Sequence, residues 1–395
     1  MMLSPTSDQA RSRTWAVIDL DAIAHNVQVL RGRIPPRTAF MAVVKADAYG
    51  HGAAPVAEAA LAAGASWLGV ATAEEVLELR AAGIAARTLI LGPVPADWLP
   101  AVARDCIITL ADHASLDVLQ DLPGPHRPRV HIKIDTGMTR LGVAVDELPA
   151  LLAAIDPARI VVEGVYTHLA CADDSDPSMT RAQLTTFARA AELVRARFPG
   201  AICHAAASAG VLGHPEAALD LVRIGIALYG VAPAPHLSAP LRPVMTLSSR
   251  VIRTRHVAAG TPVSYGATYR PQRATTIATV PVGYADGYPR ALSNAGVMRI
   301  GGQRHPIAGR VCMDFTMLDV GDAPVREGDE VTVFGPWLPA AEVAASAGTI
   351  AYELFCRVGP RVPRLYVREG RVVAVAIGSQ DLRAVEVGRR GIEVR

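Results

Sequence analysis

The stretch FMAVVKADAYGHG, residues 40–52, decides the fold class. Five apolar residues, 40–44, precede a single lysine, Lys45, and small, polar and turn-forming residues follow it. A buried strand that delivers one charged side chain to its carboxyl end has this pattern, which is typical of parallel sheets. A lysine that merely terminates a strand is the simpler alternative, so the meaning of Lys45 depends on the rest of the chain.

Seven further β-rich runs follow this one, and helix-sized segments separate them. Thr72 and Glu75, for example, form a capping box that opens a helix, and Gly83 supplies its end. Apolar strands that alternate with helices indicate a parallel sheet. Eight such units predict a closed (β/α)8 barrel of the TIM type, whereas six would indicate a doubly wound sheet. The other predicted strands are 67–70, 88–91, 106–109, 130–134, 160–166, 201–205 and 221–225.

The residue pattern of the sequence changes after about Pro243. β-branched runs joined by Gly, Pro and Asp turns follow, with one helical insert at 340–358. We therefore predict an α/β fold class: an N-terminal (β/α)8 TIM-type barrel with a second, mainly β C-terminal domain. The predicted domains are residues 1–243 and 244–395, and residues 1–14 are candidates to pack with the β domain.

The composition points to a small-molecule partner. The chain has 395 residues, 51% hydrophobic and 19% charged, with a net charge of +2 and no long basic run. We therefore expect neither nucleic acid nor a membrane as a partner. Five scattered cysteines form no C-x-x-C pair, so we expect no metal site and a reducing compartment. The N-terminal residues lack the apolar stretch of a signal peptide, and we expect a cytoplasmic protein.

Polar residues occur at the exits of five predicted strands. In an eight-fold barrel the chemistry lies at the carboxyl ends of the strands, so these residues form a candidate site. They are Lys45 after the first strand, Lys133 with Asp135, Thr136, Gly137 and Arg140 at the fifth, His168 after the sixth, His204 and Ser208 after the seventh, and Arg223 with Gly225 at the eighth.

This set of residues suits pyridoxal 5′-phosphate. Lys45 offers an amine for its aldehyde, and Arg223 offers a partner for its ring nitrogen. The loops after strands seven and eight, which commonly bind phosphate in such barrels, offer Ser208 and the amides around Gly225 and Ile226. Dinucleotide fingerprints, P-loops, G-x-S-x-G elbows and H-E-x-x-H motifs are absent from the sequence.

Eight motifs, in order along residues 18–364, resemble those of the alanine racemases. The resemblance implies a pyridoxal-phosphate enzyme that interconverts L- and D-alanine, supplies D-alanine for peptidoglycan, and works as a homodimer with an active site shared between subunits. The motifs are AVVKADAYGHG (42–52), KIDTGMTRLG (133–142), YTHLA (166–170), VRIGIALYG (222–230), VSYGATY (263–269), VGYADGYPR (282–290), GRVCMD (309–314) and RVPR (361–364).

The resemblance also implies roles for the cofactor-binding and catalytic residues. Lys45 resembles the lysine that holds the cofactor and acts as one base, and Tyr265 resembles the second base, contributed by the other subunit. Tyr49 and Tyr352 match tyrosines at the cofactor phosphate. His168 resembles a residue that orients the partner group or covers the cofactor ring, and a hydrogen-bonded core histidine is its alternative.

Substrate contacts follow from the same resemblance. Arg140 resembles an arginine that binds the cofactor's phenolic oxygen and the substrate carboxylate. Lys133 resembles a lysine that carries a carbamate, with an interior lysine paired to Asp or Glu as the alternative. Met313 matches the position whose backbone N–H holds the substrate carboxylate. Tyr284 matches a tyrosine at the site entrance, and Asp314 is assigned a supporting role.

One residue departs from the family pattern. Ala207 stands before Ser208 where the family usually has Asn, which leaves open a racemase for another small amino acid such as serine. A decarboxylase of the same architecture would leave Tyr265 without a comparable task. A non-catalytic cofactor-binding barrel would need no β domain carrying a second base.

Overall fold

The computed structural model of the protein describes residues 13–123, 125–378, 382–388 and 391–394. These residues divide into two compact units. The barrel unit contains residues 23–48 and 53–241. The β unit contains the described residues up to Ala22, the segment Tyr49–Gly52, and the described residues from Arg242 onward. The domain limits 1–243 and 244–395 stay a prediction, and the suggested packing of residues 1–12 lies outside the described residues.

Strand β1 (Thr14–Asp19) belongs to the β unit, and the eight strands that follow it form a parallel sheet in the barrel unit. The sheet has the order β8-β7-β6-β5-β4-β3-β2-β9 and closes where Ala207 bridges Arg223. The predicted eight-stranded barrel is therefore confirmed. Its strands are β2 (Ala39–Val43), β3 (Trp67–Val70), β4 (Arg87–Ile90), β5 (Ile107–Leu110), β6 (Arg129–Lys133), β7 (Val161–Tyr166), β8 (Ile202–His204) and β9 (Leu221–Ile224).

Helix α1 (Leu20–Arg31) follows β1 and precedes the first barrel strand, β2, and the other helices up to β9 connect successive strands of the barrel. The predicted capping box is present, because the Thr72 hydroxyl accepts from the Glu75 N–H while the Glu75 carboxylate accepts from the Thr72 N–H. The helices are α1 (Leu20–Arg31), α2 (Lys45–Gly50), α3 (Ala53–Ala62), α4 (Ala73–Ala81), α5 (Leu99–Val102), α6 (His113–Gln120), α7 (Leu148–Ala154), α8 (Ser178–Arg197) and α9 (Ser208–Gly213).

The element α2, directly after β2, has left-handed backbone angles. Ala46, Asp47, Ala48 and Tyr49 have φ between 52° and 55°. L-residues reach this conformation at a cost of roughly 1–2 kcal/mol each, so a run of four is a strained segment. The sequence predicted turn-forming residues here but not a left-handed helical turn.

Hydrogen bonds from neighbouring elements of the barrel unit support this strained segment. Glu75 accepts from the Ala46 N–H at 2.6 Å, in addition to its role in the capping box. Asp47 accepts from the Ala53 N–H at 2.8 Å. The N–H of Val44 is bonded to the carbonyl of Gly69 at 2.8 Å, which continues the parallel pairing of β2 and β3 up to Lys45. The position of Lys45 is thus held from both sides.

The β unit contains two antiparallel-rich sheets. One has nine strands in the order β14-β13-β16-β10-β1-β17-β18-β19-β20, and the other has the order β11-β12-β15. The strands are β10 (Met245–Arg250), β11 (Arg253–Val257), β12 (Thr275–Val280), β13 (Val297–Ile300), β14 (Gln303–Pro306), β15 (Thr316–Gly321), β16 (Glu330–Phe334), β17 (Arg364–Arg368), β18 (Arg371–Ala376), β19 (Leu382–Gly388) and β20 (Gly391–Val394), and the helices are α10 (Ala340–Ser346) and α11 (Ala351–Cys356).

Strand β1 lies inside the nine-stranded sheet, antiparallel to β10 and parallel to β17. The predicted second, mainly β part of the fold is therefore confirmed. Its nine-stranded sheet also includes β1, the first described strand of the chain. Among the helices that the structure describes, none is long and apolar enough to cross a membrane.

Candidate active site

The carboxyl ends of the barrel strands carry the polar residues that the sequence singled out. Lys45 follows β2, Lys133 ends β6, and Arg223 lies in β9. Strands β2 and β9 are paired in parallel with Met41 beside Arg223, so the side chains that follow their ends share one mouth of the barrel.

Arg223 is the buried centre of this group. Its terminal nitrogens, Nη1 and Nη2, make four hydrogen bonds, whereas Nε has no partner among the described residues. The Nε–H of this buried guanidinium is thus available to a bound group. The four acceptors are Nδ1 of His204 (2.8 Å), the carbonyls of Thr167 (2.7 Å) and Ala205 (2.8 Å), and Nδ1 of His168 (3.1 Å).

Two buried histidines extend from Arg223 into the barrel. A guanidinium only donates, so Nδ1 of His204 accepts, and Nε2 of His204 carries the proton that it shares with Nδ1 of His131 at 2.8 Å. Burial, with Arg223 nearby, lowers the pKa of His204 well below its usual value, and burial lowers that of His131 to about 3. Both rings are therefore neutral and hold Arg223 in one orientation.

His131 was missed by the sequence prediction. The available signal was its position two residues before Lys133 in the same strand, since side chains two apart point to the same face. Tyr166, also missed, stacks on His204 with ring centroids 4.7 Å apart. His131 and Tyr166 both contact His204, which in turn binds Arg223. Both lie within apolar strands, so the sequence pattern does not distinguish them from ordinary buried strand residues.

His168 lies among four cations. Its pKa is lowered to about 3, by burial first and then by the charges of Arg223, Arg140, Lys133 and Lys45 in that order. Because Arg223 donates to Nδ1, the proton of the neutral ring is on Nε2. A neutral histidine with an oriented N–H, among four positive groups, suits an anionic ligand.

Lys133 is buried without a carboxylate partner. Burial, followed by the charges of Arg223, Arg140 and Lys45, lowers its pKa to about 8, and Asp135 only partly opposes this effect. Among the described residues no carboxylate lies within ion-pair distance of its amine. The alternative role of Lys133, an interior ion pair with Asp or Glu, is therefore not seen within the described part of the chain.

Asp135 has a different task. Its carboxylate accepts from the backbone N–H groups of Gly137, Met138 and Thr139 at 2.9–3.1 Å. It therefore shapes the loop after β6 that leads to Arg140. Thr136 in the same loop shares a hydrogen bond with Thr167 at 2.7 Å.

The loops after β8 and β9 meet at Ser208. Its buried hydroxyl accepts from the N–H groups of Gly225 (3.1 Å) and Ala227 (3.3 Å). Ile226 is buried and begins a short 3-10 turn, where N–H groups lack partners within the turn. Ala207 is the N-cap residue of α9, and because alanine has no polar side chain it makes no capping hydrogen bond.

The β unit carries the predicted tyrosines. Tyr49 is buried, and its ring centroid lies 5.9 Å from that of Tyr352. Burial raises the pKa of Tyr49, so its phenol stays protonated and can donate a hydrogen bond.

Tyr265, Tyr284 and Met313 are exposed on the β unit, Tyr265 by 72%. The loops of Tyr284 and Met313 are joined, because the Tyr284 N–H donates to the carbonyl of Cys312 at 3.1 Å. The N–H of Met313 has no partner among the described residues.

Arg361 supports the same loops. It donates to the Asp314 carboxylate at 2.8 Å and pairs with Asp286 at 3.0 Å. Arg361 thereby links Asp314, the residue next to Met313, to Asp286.

Family profiles match both units of the chain. A profile described as the alanine racemase N-terminal domain matches residues 18–233, and one described as the alanine racemase C-terminal domain matches residues 244–366.

The chain belongs to the alanine racemase family.

Curated relatives and solved structures of alanine racemases are similar over most of their length. The alanine racemase of Desulfovibrio desulfuricans is 44% identical over 89% of this chain and 98% of its own, and that of Symbiobacterium thermophilum is 46% identical over 89% and 97%. The crystal structure of alanine racemase from Bacillus anthracis with bound L-Ala-P has a TM-score of 0.86 at 38% identity, covering 93% of this chain and 98% of its own. That of alanine racemase from D-cycloserine-producing Streptomyces lavendulae has a TM-score of 0.84 at 39% identity, with the same coverage.

Among the described residues no group of three or more His, Cys, Asp or Glu side chains is arranged to hold a metal ion. At the mouth of this alanine racemase barrel, Arg223, Arg140, Lys133 and Lys45 surround a neutral His168. The Asp135 carboxylate there is engaged by backbone N–H groups of its own loop, so the available groups are donors that suit anions.

Proposed function

We propose that this protein interconverts L-alanine and D-alanine with pyridoxal 5′-phosphate, and so supplies D-alanine for peptidoglycan. Membership of the alanine racemase family supports the reaction. The observation that carries the proposal is Arg223, whose Nη groups bind His204, His168 and two carbonyls while Nε has no partner among the described residues and is available to a bound group.

The residues present fit the proposed cofactor. Lys45 offers the amine that would hold it, and Nε of Arg223 offers a donor for its ring nitrogen. The Ser208 hydroxyl and the backbone N–H groups of Gly225 and Ile226 form a buried polar group of donors that suits a phosphate. Tyr49 and Tyr352 are proposed as further phosphate contacts.

Arg223 determines the type of reaction. Pyridoxal phosphate, when bound, supplies the electron sink that acidifies the α-C–H of an amino acid. Burial lowers the pKa of Arg223 to about 10, so the guanidinium still keeps its proton at neutral pH. Arg223 can therefore donate a hydrogen bond to a ring nitrogen without transferring a proton to it. This keeps the sink weak and favours return of the proton to the α-carbon, which is racemisation.

Two bases on opposite faces of the α-carbon complete the mechanism. Lys45 Nζ takes or returns the proton on one face, and Oη of Tyr265, from the second subunit of a homodimer, does so on the other. Exposure of Tyr265 supports a role outside its own subunit. Nε2–H of His168 is available to orient that phenol, while Arg140 and the Met313 N–H are proposed to bind the substrate carboxylate. Tyr284 is proposed to line the entrance.

The proposed reaction and the absence of disulfides among the described cysteines support a cytoplasmic location. None of the five cysteines, all of which lie among the described residues, forms a disulfide; two are buried, one is exposed and two are half-buried. We propose that the enzyme works in the cytoplasm, where thiols stay reduced.

The test of the function combines labelling and turnover. The purified, cofactor-loaded protein should be yellow, and borohydride should attach the cofactor to Lys45, as peptide mapping would show. It should racemise alanine faster than serine or other small amino acids in a panel. Label on another lysine would remove the basis of the proposal. Faster turnover of serine than of alanine would instead favour a serine racemase, the alternative that Ala207 left open.

We further propose that Lys133 carries a carbamate. With its pKa lowered to about 8, the amine is substantially neutral near that pH and can attack CO2. The nitrogen–carbon bond forms, one N–H proton leaves to solvent, and the product is an anion next to Arg140 and Arg223. That charge would offset the cations that now surround Lys133.

Carbon-13-labelled bicarbonate tests this modification. A carbamate NMR signal should appear in the wild type and be absent from Lys133→Met. Since protonation of the amine grows as the pH falls below about 8, the signal of CO2-stripped protein should recover more slowly at pH 6 than at pH 8. A wild type without the signal would leave Lys133 as an unmodified lysine.

A further inference from the structure

The loop that presents Tyr265 is a tight turn. Its ends pair through the Val263 N–H and the Tyr269 carbonyl at 3.0 Å, and the Ala267 N–H bonds the Ser264 carbonyl at 3.2 Å. Gly266 has φ 73° and ψ 6°, which is the third position of a type II turn and favours glycine. Tyr265 is therefore the second residue of the turn, with its side chain exposed.

Ser264, directly before Tyr265, has an unusual backbone conformation. Its φ is 65° and its ψ is 179°, in a region that is essentially reserved for glycine. Such a conformation persists only when the surroundings determine it, and it is commonly stored near functional sites. No glycine occupies the position, so another interaction must hold it.

That interaction is visible in the structure. The Ser264 hydroxyl donates to the carbonyl of Arg310 at 2.7 Å. The two loops approach so closely that a Cβ on Gly309 would lie 2.6 Å from Cβ of Ser264. On the other side of the turn, a Cβ on Gly266 would lie 3.2 Å from the Arg310 guanidinium. Arg310 thus contacts the turn through its carbonyl at Ser264 and its side chain at Gly266.

We propose that Ser264 is a positioning residue for Tyr265. The hydrogen bond of its hydroxyl to Arg310 holds a strained backbone, and that backbone sets the direction in which the Tyr265 phenol leaves the turn. Because the Tyr265 side chain is exposed, packing within its own unit does not fix this direction. The inference rests on the proposed function, in which Tyr265 is one of two bases.

Two substitutions of Ser264 separate the effect of its hydrogen bond from the effect of its strained φ. Ser264→Ala removes the hydrogen bond, while alanine disfavours the native φ as strongly as serine does, so the backbone of the turn should move away from that φ. Ser264→Gly also removes the bond but adopts the original φ without strain. We expect Ser264→Ala to unfold at lower urea than Ser264→Gly, and to lower kcat by on the order of 100-fold, since small misplacement of a reacting group has effects of that size. Ser264→Gly should lie between it and the wild type.

The decisive measurement is the isotope effect of α-deuterated substrate, measured separately for L- and D-alanine. If Tyr265 is displaced, its proton transfer becomes slower than that of Lys45. The isotope effect should then rise for the enantiomer whose proton faces Tyr265 and fall for the other. General destabilisation would reduce the amount of active enzyme and leave both isotope effects unchanged.

Glu369 provides a matched control in the same unit. It is exposed and also has a positive φ, 49°, in the hairpin between β17 and β18. Glu369→Ala and Glu369→Gly should differ in urea stability without altering either isotope effect.

The outcomes distinguish this inference from the proposed function. If the wild type does not racemise alanine, or Tyr265→Phe is fully active, the function itself fails. If the wild type is active and Tyr265→Phe is not, but both Ser264 variants keep wild-type isotope effects, the positioning role is refuted. An asymmetric change that is larger in Ser264→Ala than in Ser264→Gly supports it; if the Ala variant does not fold, asymmetry in Ser264→Gly alone decides.

Discussion

Mixing two inactive variants, Lys45→Ala and Tyr265→Phe, should restore about a quarter of wild-type activity. After joint dissociation and reassociation, about half of the dimers are hybrids by random pairing. In each hybrid one site carries both substitutions, and the other combines an intact Lys45 with an intact Tyr265 from the second subunit. One working site in two, in about half of the dimers, yields about a quarter of the activity.

Each variant reassociated alone serves as the control and should stay inactive. Native mass spectrometry must show that hybrids have formed. If hybrids are present without recovered activity, Tyr265 acts on the site of its own chain, and the shared active site is wrong.

Replacing Arg223 with Glu should slow racemisation by about 100-fold or more and raise the share of transamination. Loss of one preorganised donor has effects of this order. A carboxyl group can pass a proton to a ring nitrogen, which strengthens the electron sink and allows the proton to return to a different carbon. The ratio of pyruvate formed to alanine racemised measures the change.

Arg223→Gln separates the effect of ring-nitrogen protonation from the effect of losing the hydrogen bonds between Arg223 and its histidines. Glutamine also breaks the network to His204 and His168, but it has no acidic proton to lend. Racemisation should slow in both variants, whereas transamination should rise only in Arg223→Glu. An equal product ratio in the two variants would assign Arg223 a purely structural role.

Local patterns in the sequence were sufficient to predict the barrel. Apolar runs such as 40–44 and 67–70 recur between amphipathic segments, and the Thr72–Glu75 capping box can be recognised within four residues. The placement of Lys45, Lys133 and Arg223 at strand ends follows from the same periodicity. The family motifs supplied Tyr265 and Met313, which no local pattern distinguishes from other exposed residues.

How these residues are held depends on contacts that form only in the folded chain. The left-handed turn after Lys45 and the positive φ of Ser264 oppose local preference, so no propensity could predict them; hydrogen bonds to Glu75 and to the Arg310 carbonyl stabilise them from elsewhere in the chain. The proton positions on His204 and His131 depend on a donor, Arg223, that comes from another strand. Strand periodicity is encoded by neighbours in the chain, whereas strain and tautomer are imposed by partners that meet only after folding.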